Sequence, residues 1–330
     1  MRNPPLTALV LTVIALGAIG CGSLSPSVAL QSSASASAPG DASSSATGLA
    51  SRPPSSASPS APAGSDVSGT ITSGKIERTY LLHLPPATTR LQPTPIVVAF
   101  HGWPMTALRM ADVTHLSAVA DAHGFAVLYP QGYGDSWSVP GGLPTPAHQA
   151  GVDDVAFVRA LLDSVGPQYH VDTTRAVATG ISNGGHLVQT LGCALADHLV
   201  GIVPVAAPLP IGNNSKCSPS RSLSVLEIVG TFDQKAATFP DTLAFWEHAD
   251  KCPGVPVSSS LSDAALDQTT VTISSFTKCR GGTEVTGYLV NGGGHAWPGG
   301  KPLGGTDEVG VTTRQFDASE LIWDFLSRHE

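Results

Sequence analysis

The sequence predicts an α/β fold built on a doubly wound, mostly parallel sheet flanked by helices. Short, wholly apolar runs recur along the chain, as strands buried on both faces of a parallel sheet require. Segments with apolar residues at helical spacing alternate with those runs, which is the pattern of repeated strand–helix units. The length of 330 residues, 42% hydrophobic and only 13% charged, suits one large domain of this kind and is short for two.

The elements follow in order. Lys75 to Leu84 (KIERTYLLHL) carries the β-favouring residues of an extended strand. Ile96 to Phe100 (IVVAF) is an unbroken apolar run, and Phe125 to Tyr129, Ala176 to Thr179, Ile202 to Ala206 and Val225 to Val229 repeat the pattern. Glu284 to Val290 is a further strand. In Asp153 to Val165 the residues Val155, Val158, Leu161, Leu162 and Val165 share one helical face, with acidic residues at the start and Gly166 at the expected C′ position. Leu187, Leu191 and Leu195 mark a second helix. The last one, near Asp317 to Phe325, opens with Asp317 and Glu320 in a capping-box arrangement. There is no internal repeat.

Residues 1–21 read as an export signal. Arg2 supplies a positive start, and an apolar run from Leu6 ends at Ala18-Ile19-Gly20-Cys21. That ending resembles the lipobox of bacterial lipoproteins, which implies lipidation of Cys21; a plain secretory peptide cut near Gly20 is the alternative. The apolar run is shorter than the roughly 20 residues that span a bilayer, so membrane contact is expected only through the lipid. Residues 22–66 are almost wholly Ser, Ala, Pro and Gly. They hold too little apolar side chain to offset ordering entropy, so a disordered linker is expected there, with the catalytic domain at 67–330. Seventeen basic residues against twenty-five acidic ones, a formal charge of −8, and no Lys/Arg cluster leave nothing for a nucleic acid to bind.

Beyond Cys21 the cysteines are Cys193, Cys217, Cys252 and Cys279. In an exported chain four thiols suggest two disulfides, for which three connectivities exist; sequential pairing closes the shorter loops. No Cys/His spacing suggests a metal.

The sharpest chemical signal is Gly180-Ile181-Ser182-Asn183-Gly184. It fits G-x-S-x-G directly after a buried strand and before a helix, the setting of a nucleophile elbow in an α/β-hydrolase. Glycines flank the serine because a side chain there would collide with the neighbouring strand or helix. A serine hydroxyl needs a base, and in this chain order the acid comes next and the histidine last. Of His186, His198, His248, His295 and His329, only His295 lies in a loop after a late strand, within Gly292-Gly293-Gly294-His295-Ala296-Trp297-Pro298-Gly299. Asp233 follows the strand ending at Val229 and can hold the histidine's tautomer; Asp241, nearby, is explained as a helix-start residue. His101-Gly102-Trp103 follows the strand Ile96 to Phe100. It offers the Trp103 N–H as one oxyanion donor, with the Asn183 N–H as the other, and His101 itself is expected to fix the loop. Trp137 and Trp297 are candidate aromatic walls for an acyl group or sugar, and ordinary packing explains them equally well.

These motifs, in this order, resemble the polyhydroxybutyrate depolymerase-like esterases, a group with feruloyl and acetylxylan esterases among its members. His101-Gly102, the run Asp153 to Val158, Gly180 to Gly185, Gly230 to Asp233 and Gly292 to Gly299 carry the resemblance, which covers about Gly69 to Glu330. It implies a triad of Ser182, Asp233 and His295, sequential disulfides, and action on hydroxyalkanoate or aromatic-acid esters. Acyl transfer of this kind needs no cofactor and no metal. A serine peptidase and a non-catalytic surface protein that binds polymer are the alternatives.

Overall fold

The apolar runs become a central sheet because their side chains can be buried on both sides at once. In the computed structural model, which describes residues 64–87, 90, 93–209, 217–303 and 310–329, the strands are β1 (Ser65–Ser73), β2 (Ile76–Leu84), β3 (Thr94–Phe100), β4 (Ala126–Pro130), β5 (Val171–Ile181), β6 (Leu199–Val205), β7 (Ser224–Gly230), β8 (Val257–Leu261), β9 (Thr270–Phe276) and β10 (Val285–Asn291). The helices are α1 (Ala107–Thr114), α2 (Leu116–His123), α3 (Pro146–Gln149), α4 (Asp154–Tyr169), α5 (Asn183–Ala194), α6 (Phe239–Ala249) and α7 (Ala318–His329). These residues belong to one unit, residues 57–330. Residues 1–21, with Cys21, and the linker up to residue 63 lie outside the described residues.

The sheet runs β1-β2-β4-β3-β5-β6-β7-β10-β9-β8. Strands β4, β3, β5, β6, β7 and β10 are mutually parallel, with antiparallel pairs at both edges. Alternation on a strand splits its side chains between two cores. Ile96, Val98 and Phe100 face the cluster that contains Phe157, Leu161, Leu187 and Trp246 from α4, α5 and α6. Val97 and Ala99 face Met110, Leu116, Ile322 and Phe325 from α1, α2 and α7. The chain therefore winds on both faces, as an α/β-hydrolase does. Strand order reverses at β3, whose neighbours are β4 and β5, and such a switch point opens a crevice at the carboxyl ends of the strands.

Several local expectations are corrected. Helix α4 does not stop at Gly166 but continues through Pro167 to Tyr169, with His170 in the left-handed region at its end. Gly166 serves packing instead: a Cβ there would lie 2.6 Å from Thr173 Oγ1. Asp317 does cap α7, accepting from Ser319 N at 2.7 Å, but Glu320 turns away to His123, 3.0 Å distant, so the reciprocal half of a capping box is absent. Strand β1 starts at Ser65, taking in Ser65 and Asp66 opposite Leu84 and His83. The edge strands β1 and β8, and β9 beside β8, escaped sequence reading because Ser and Thr fill about half of each. Both disulfides form in sequential order, Cys193–Cys217 and Cys252–Cys279. Among the described residues no helix is long and apolar enough to cross a membrane.

Candidate active site

The site assembles where four parallel strands end. Phe100 of β3 pairs with Gly180 of β5, and Gly230 of β7 pairs with Val290 of β10. The loops that follow these residues carry His101-Gly102, Ser182, Asp233 and His295 respectively, all at the same edge of the sheet.

Ser182 sits between β5 and α5 with φ 59° and ψ −122°, a backbone conformation costly for a residue bearing a side chain. Its N–H donates to Val205 O, and its carbonyl accepts from His186 N, so strand and helix hold the turn from both sides. The flanking glycines are required by contact. A Cβ at Gly184 would lie 2.3 Å from Phe100 O and 2.4 Å from His101 O, and one at Gly180 would lie 2.8 Å from Phe100 O.

His295 Nδ1 donates to Asp233 Oδ2 at 2.7 Å. The other carboxylate oxygen, Oδ1, accepts from the Lys235 N–H at 2.8 Å. Burial alone would push the Asp233 carboxyl up, but the hydrogen bond and charge of His295, together with that N–H, outweigh it and hold the group below the usual carboxylate value. The His295 side chain keeps 31% exposure while that of Asp233 keeps 2%, as expected of a reacting base and its buried orienter. Ser182, Asp233 and His295 line one cleft of about 400 Å³.

Asn183 opens α5, where an N–H has no intrahelical acceptor and the helix dipole favours negative charge. Gly102 packs against the elbow: a Cβ there would lie 3.4 Å from Ser182 Cβ. The next residue, Trp103, is partly exposed and precedes a cis proline. His101 fixes this loop. Its Nδ1–H donates to Gly102 O at 2.8 Å, and its Nε2 accepts from Gly132 N at 2.9 Å. Burial lowers the ring's pKa to about 4, so it stays neutral and can play both parts.

The two tryptophans are corrected as substrate walls. Trp137 and Trp297 are fully buried, so neither faces the cleft. Trp297 donates Nε1–H to Ser319 Oγ at 3.2 Å and joins the histidine loop to α7. Trp137 instead ties the elbow to the His101-Gly102 loop. Its N–H donates to Asn183 Oδ1 at 2.7 Å, its carbonyl accepts from Asn183 Nδ2 at 3.1 Å, and its Nε1–H donates to His101 O at 2.8 Å. Asp154 supports the same segment, accepting from Ser138 N at 2.7 Å and from Arg78 at 2.8 Å. The cleft's apolar surface comes from Val139, Leu143, Ala206 and Phe232. Reading by motif missed these residues; the one signal was the position of Phe232, directly before the acid.

The other candidates lie apart or serve structure. His198 contacts Arg159, His329 donates to Phe325 O, and Asp241 occupies the first turn of α6 facing solvent. Beneath the acid loop, sequence reading overlooked a buried chain in which Trp246 Nε1–H donates to Gln189 Oε1 and Gln189 Nε2–H donates to Glu227 Oε2. Among the described residues no cluster of His, Cys, Asp and Glu is arranged to hold a metal.

The fold is that of an α/β-hydrolase, and Ser182 at its elbow shares a cleft with His295, which is hydrogen-bonded to Asp233. Residues 78–206 match the family described as Esterase PHB depolymerase. It is 28% identical over 274 residues to "Putative esterase NocK" of Nocardia uniformis subsp. tsuyamanensis, covering 76% of this chain and 79% of that protein. It is 26% identical over 247 residues to feruloyl esterase B of Piromyces equi, covering 68% of this chain but only 44% of that longer protein. Among solved structures, an acetyl xylan esterase from Aspergillus awamori superposes with a TM-score of 0.55 at 13% identity, over 79% of this chain and 99% of that one. The enzyme class shared by family and relatives is carboxylic ester hydrolase.

Proposed function

We propose that this carboxylic ester hydrolase works through a Ser182–His295–Asp233 triad and a covalent acyl-enzyme. The observation that carries the reading is the 2.7 Å hydrogen bond from His295 to buried Asp233, in the same cleft as a serine held at an elbow. Ser182 Oγ attacks the ester carbonyl while His295 Nε2 takes its proton. The oxyanion is met by the N–H groups of Trp103 and Asn183. Collapse expels the alcohol, which receives the proton from His295, and water then releases the acid by the same steps.

Hydroxyalkanoate oligomers, feruloyl or acetyl esters and short-chain esters are the substrate classes the relationship supports. Two disulfides favour an oxidising compartment. Together with the apolar start of the sequence they support export, with residues 1–21 as signal, Cys21 as lipid anchor and the linker that ends before Ser65 as tether.

The test is hydrolysis of methyl ferulate, hydroxybutyrate oligomers and short-chain nitrophenyl esters by the purified chain, with Ser182→Ala as the blank. Turnover that disappears in the variant is expected. Turnover that persists in it, or none at all, overturns the reading.

A further inference from the structure

We propose that Lys235 and His186 form an anion-recognition subsite beside Ser182, so that the favoured substrates are hydroxy-acid esters bearing a free carboxylate, such as acid-terminated hydroxyalkanoate oligomers. This rests on the serine-esterase reading above and narrows its substrate.

Both residues line the cleft with Ser182 and His295. Lys235 is exposed, and its ammonium has no hydrogen-bond or ion-pair partner among the described residues. Arg109, Arg159 and Arg328 are paired, with Asp112, Asp197 and Glu284, whereas the unpaired Lys235 lines the cleft. The nearby Asp233 cannot neutralise the lysine, because its oxygens are taken by His295 and the Lys235 N–H and its side chain is buried. His186 contributes a second donor. Its Nδ1 is buried without a partner, which suits an unprotonated nitrogen and places the proton on Nε2, and the residue lines the cleft. Burial and the nearby lysine charge lower its pKa to about 4, so it binds as a neutral donor and adds no charge.

A cation and a neutral N–H with no free carboxylate beside them are complementary to an anionic acceptor. The chain as a whole carries a formal charge of −8, which disfavours the approach of anions. A lone lysine at the cleft offsets that field where it matters. An oligomer of a hydroxy acid ends in a carboxylate a few bonds from its last ester, and a cleft of about 400 Å³ has room for two such units.

The experiment compares kcat/KM for the 3-hydroxybutyrate dimer as free acid and as its neutral methylamide, following released hydroxybutyrate by chromatography. The full chain should favour the acid. In Lys235→Gln the acid-to-amide ratio should fall on the order of tenfold, about the worth of one hydrogen bond to a charged group. Lys235→Arg should retain the ratio and His186→Leu should lower it, both mainly through KM, and added salt should lower it in the unmodified chain. A ratio unchanged by Lys235→Gln, or a preference for the amide in the unmodified chain, overturns the proposal. Failure to cleave either dimer while nitrophenyl esters are hydrolysed overturns it too and leaves the esterase reading standing. Failure on all of these esters strikes that reading itself.

Discussion

Replacing Asp233 by Asn tests the proposed triad at its most constrained point. The carboxylate uses both oxygens, one accepting from His295 Nδ1–H at 2.7 Å and the other from the Lys235 N–H at 2.8 Å. An asparagine has one oxygen and one NH₂. The Lys235 N–H is fixed by the backbone and demands the oxygen, so the NH₂ falls opposite His295 Nδ1. Two N–H groups cannot face each other, and the imidazole must then shift its proton to Nε2. In the proposed mechanism Nε2 takes the serine proton, and once protonated it can no longer do so. The wrong tautomer costs on the order of 10⁴ in kcat, or about 5.5 kcal/mol, while the fold and KM change little. The assay is steady-state hydrolysis of a nitrophenyl ester, with circular dichroism to show that the variant is folded. A folded Asp233→Asn enzyme within tenfold of the parent kcat would refute the argument.

Three further outcomes follow from the same geometry. Gly184→Ala should lose about 1–3 kcal/mol of stability and most activity, because its Cβ would meet two backbone carbonyls below 2.5 Å that cannot move without shifting the oxyanion loop; thermal melting beside an activity assay checks this, and an unchanged melting temperature contradicts it. Glu227 is fully buried, and burial raises its carboxyl well above the ordinary 4.5, so the folded chain holds a proton that the unfolded chain releases. Stability from the neutral group is therefore present at low pH and lost as pH rises above 4.5, and Glu227→Gln should melt near the parent at about pH 5 but above it at about pH 8. An offset identical at both pH values would rule this out. Removing Cys252–Cys279, whose partners are 27 residues apart, should cost roughly 3–4 kcal/mol by loop closure in the unfolded chain, measured as denaturant stability of the double serine variant.

Much of the site could be read in the sequence because its elements are local. An elbow is a strand, a tight turn and a helix in succession, and Gly180 to Gly184 writes all three within a few residues. His295 and Asp233 declare themselves by lying in loops just after strands, in the order the fold demands. The parallel core was equally legible, since a strand buried on both faces must be apolar throughout. The edge strands β1 and β8, and β9 beside β8, were not, because exposure relaxes that demand and leaves a Ser/Thr-rich sequence indistinguishable from a loop.

The tertiary structure alone decided what surrounds the chemistry. A tryptophan near a motif reads the same whether it faces substrate or core. Only the burial of Trp137 and its packing against Phe100 and His101, with ring centroids 5.3 and 4.9 Å away, show that it braces the His101-Gly102 loop from within the core. The clamp of the Asn183 side chain on Trp137 joins residues 46 apart in sequence, and the chain from Trp246 through Gln189 to Glu227 joins three separate elements. The lining of the cleft by Leu143, Phe232, His186 and Lys235 likewise draws on three segments of chain. Chemistry that depends on spacing along the backbone is written in the sequence; contacts between distant segments arise from the sheet order, and exist only once the strands have found their neighbours.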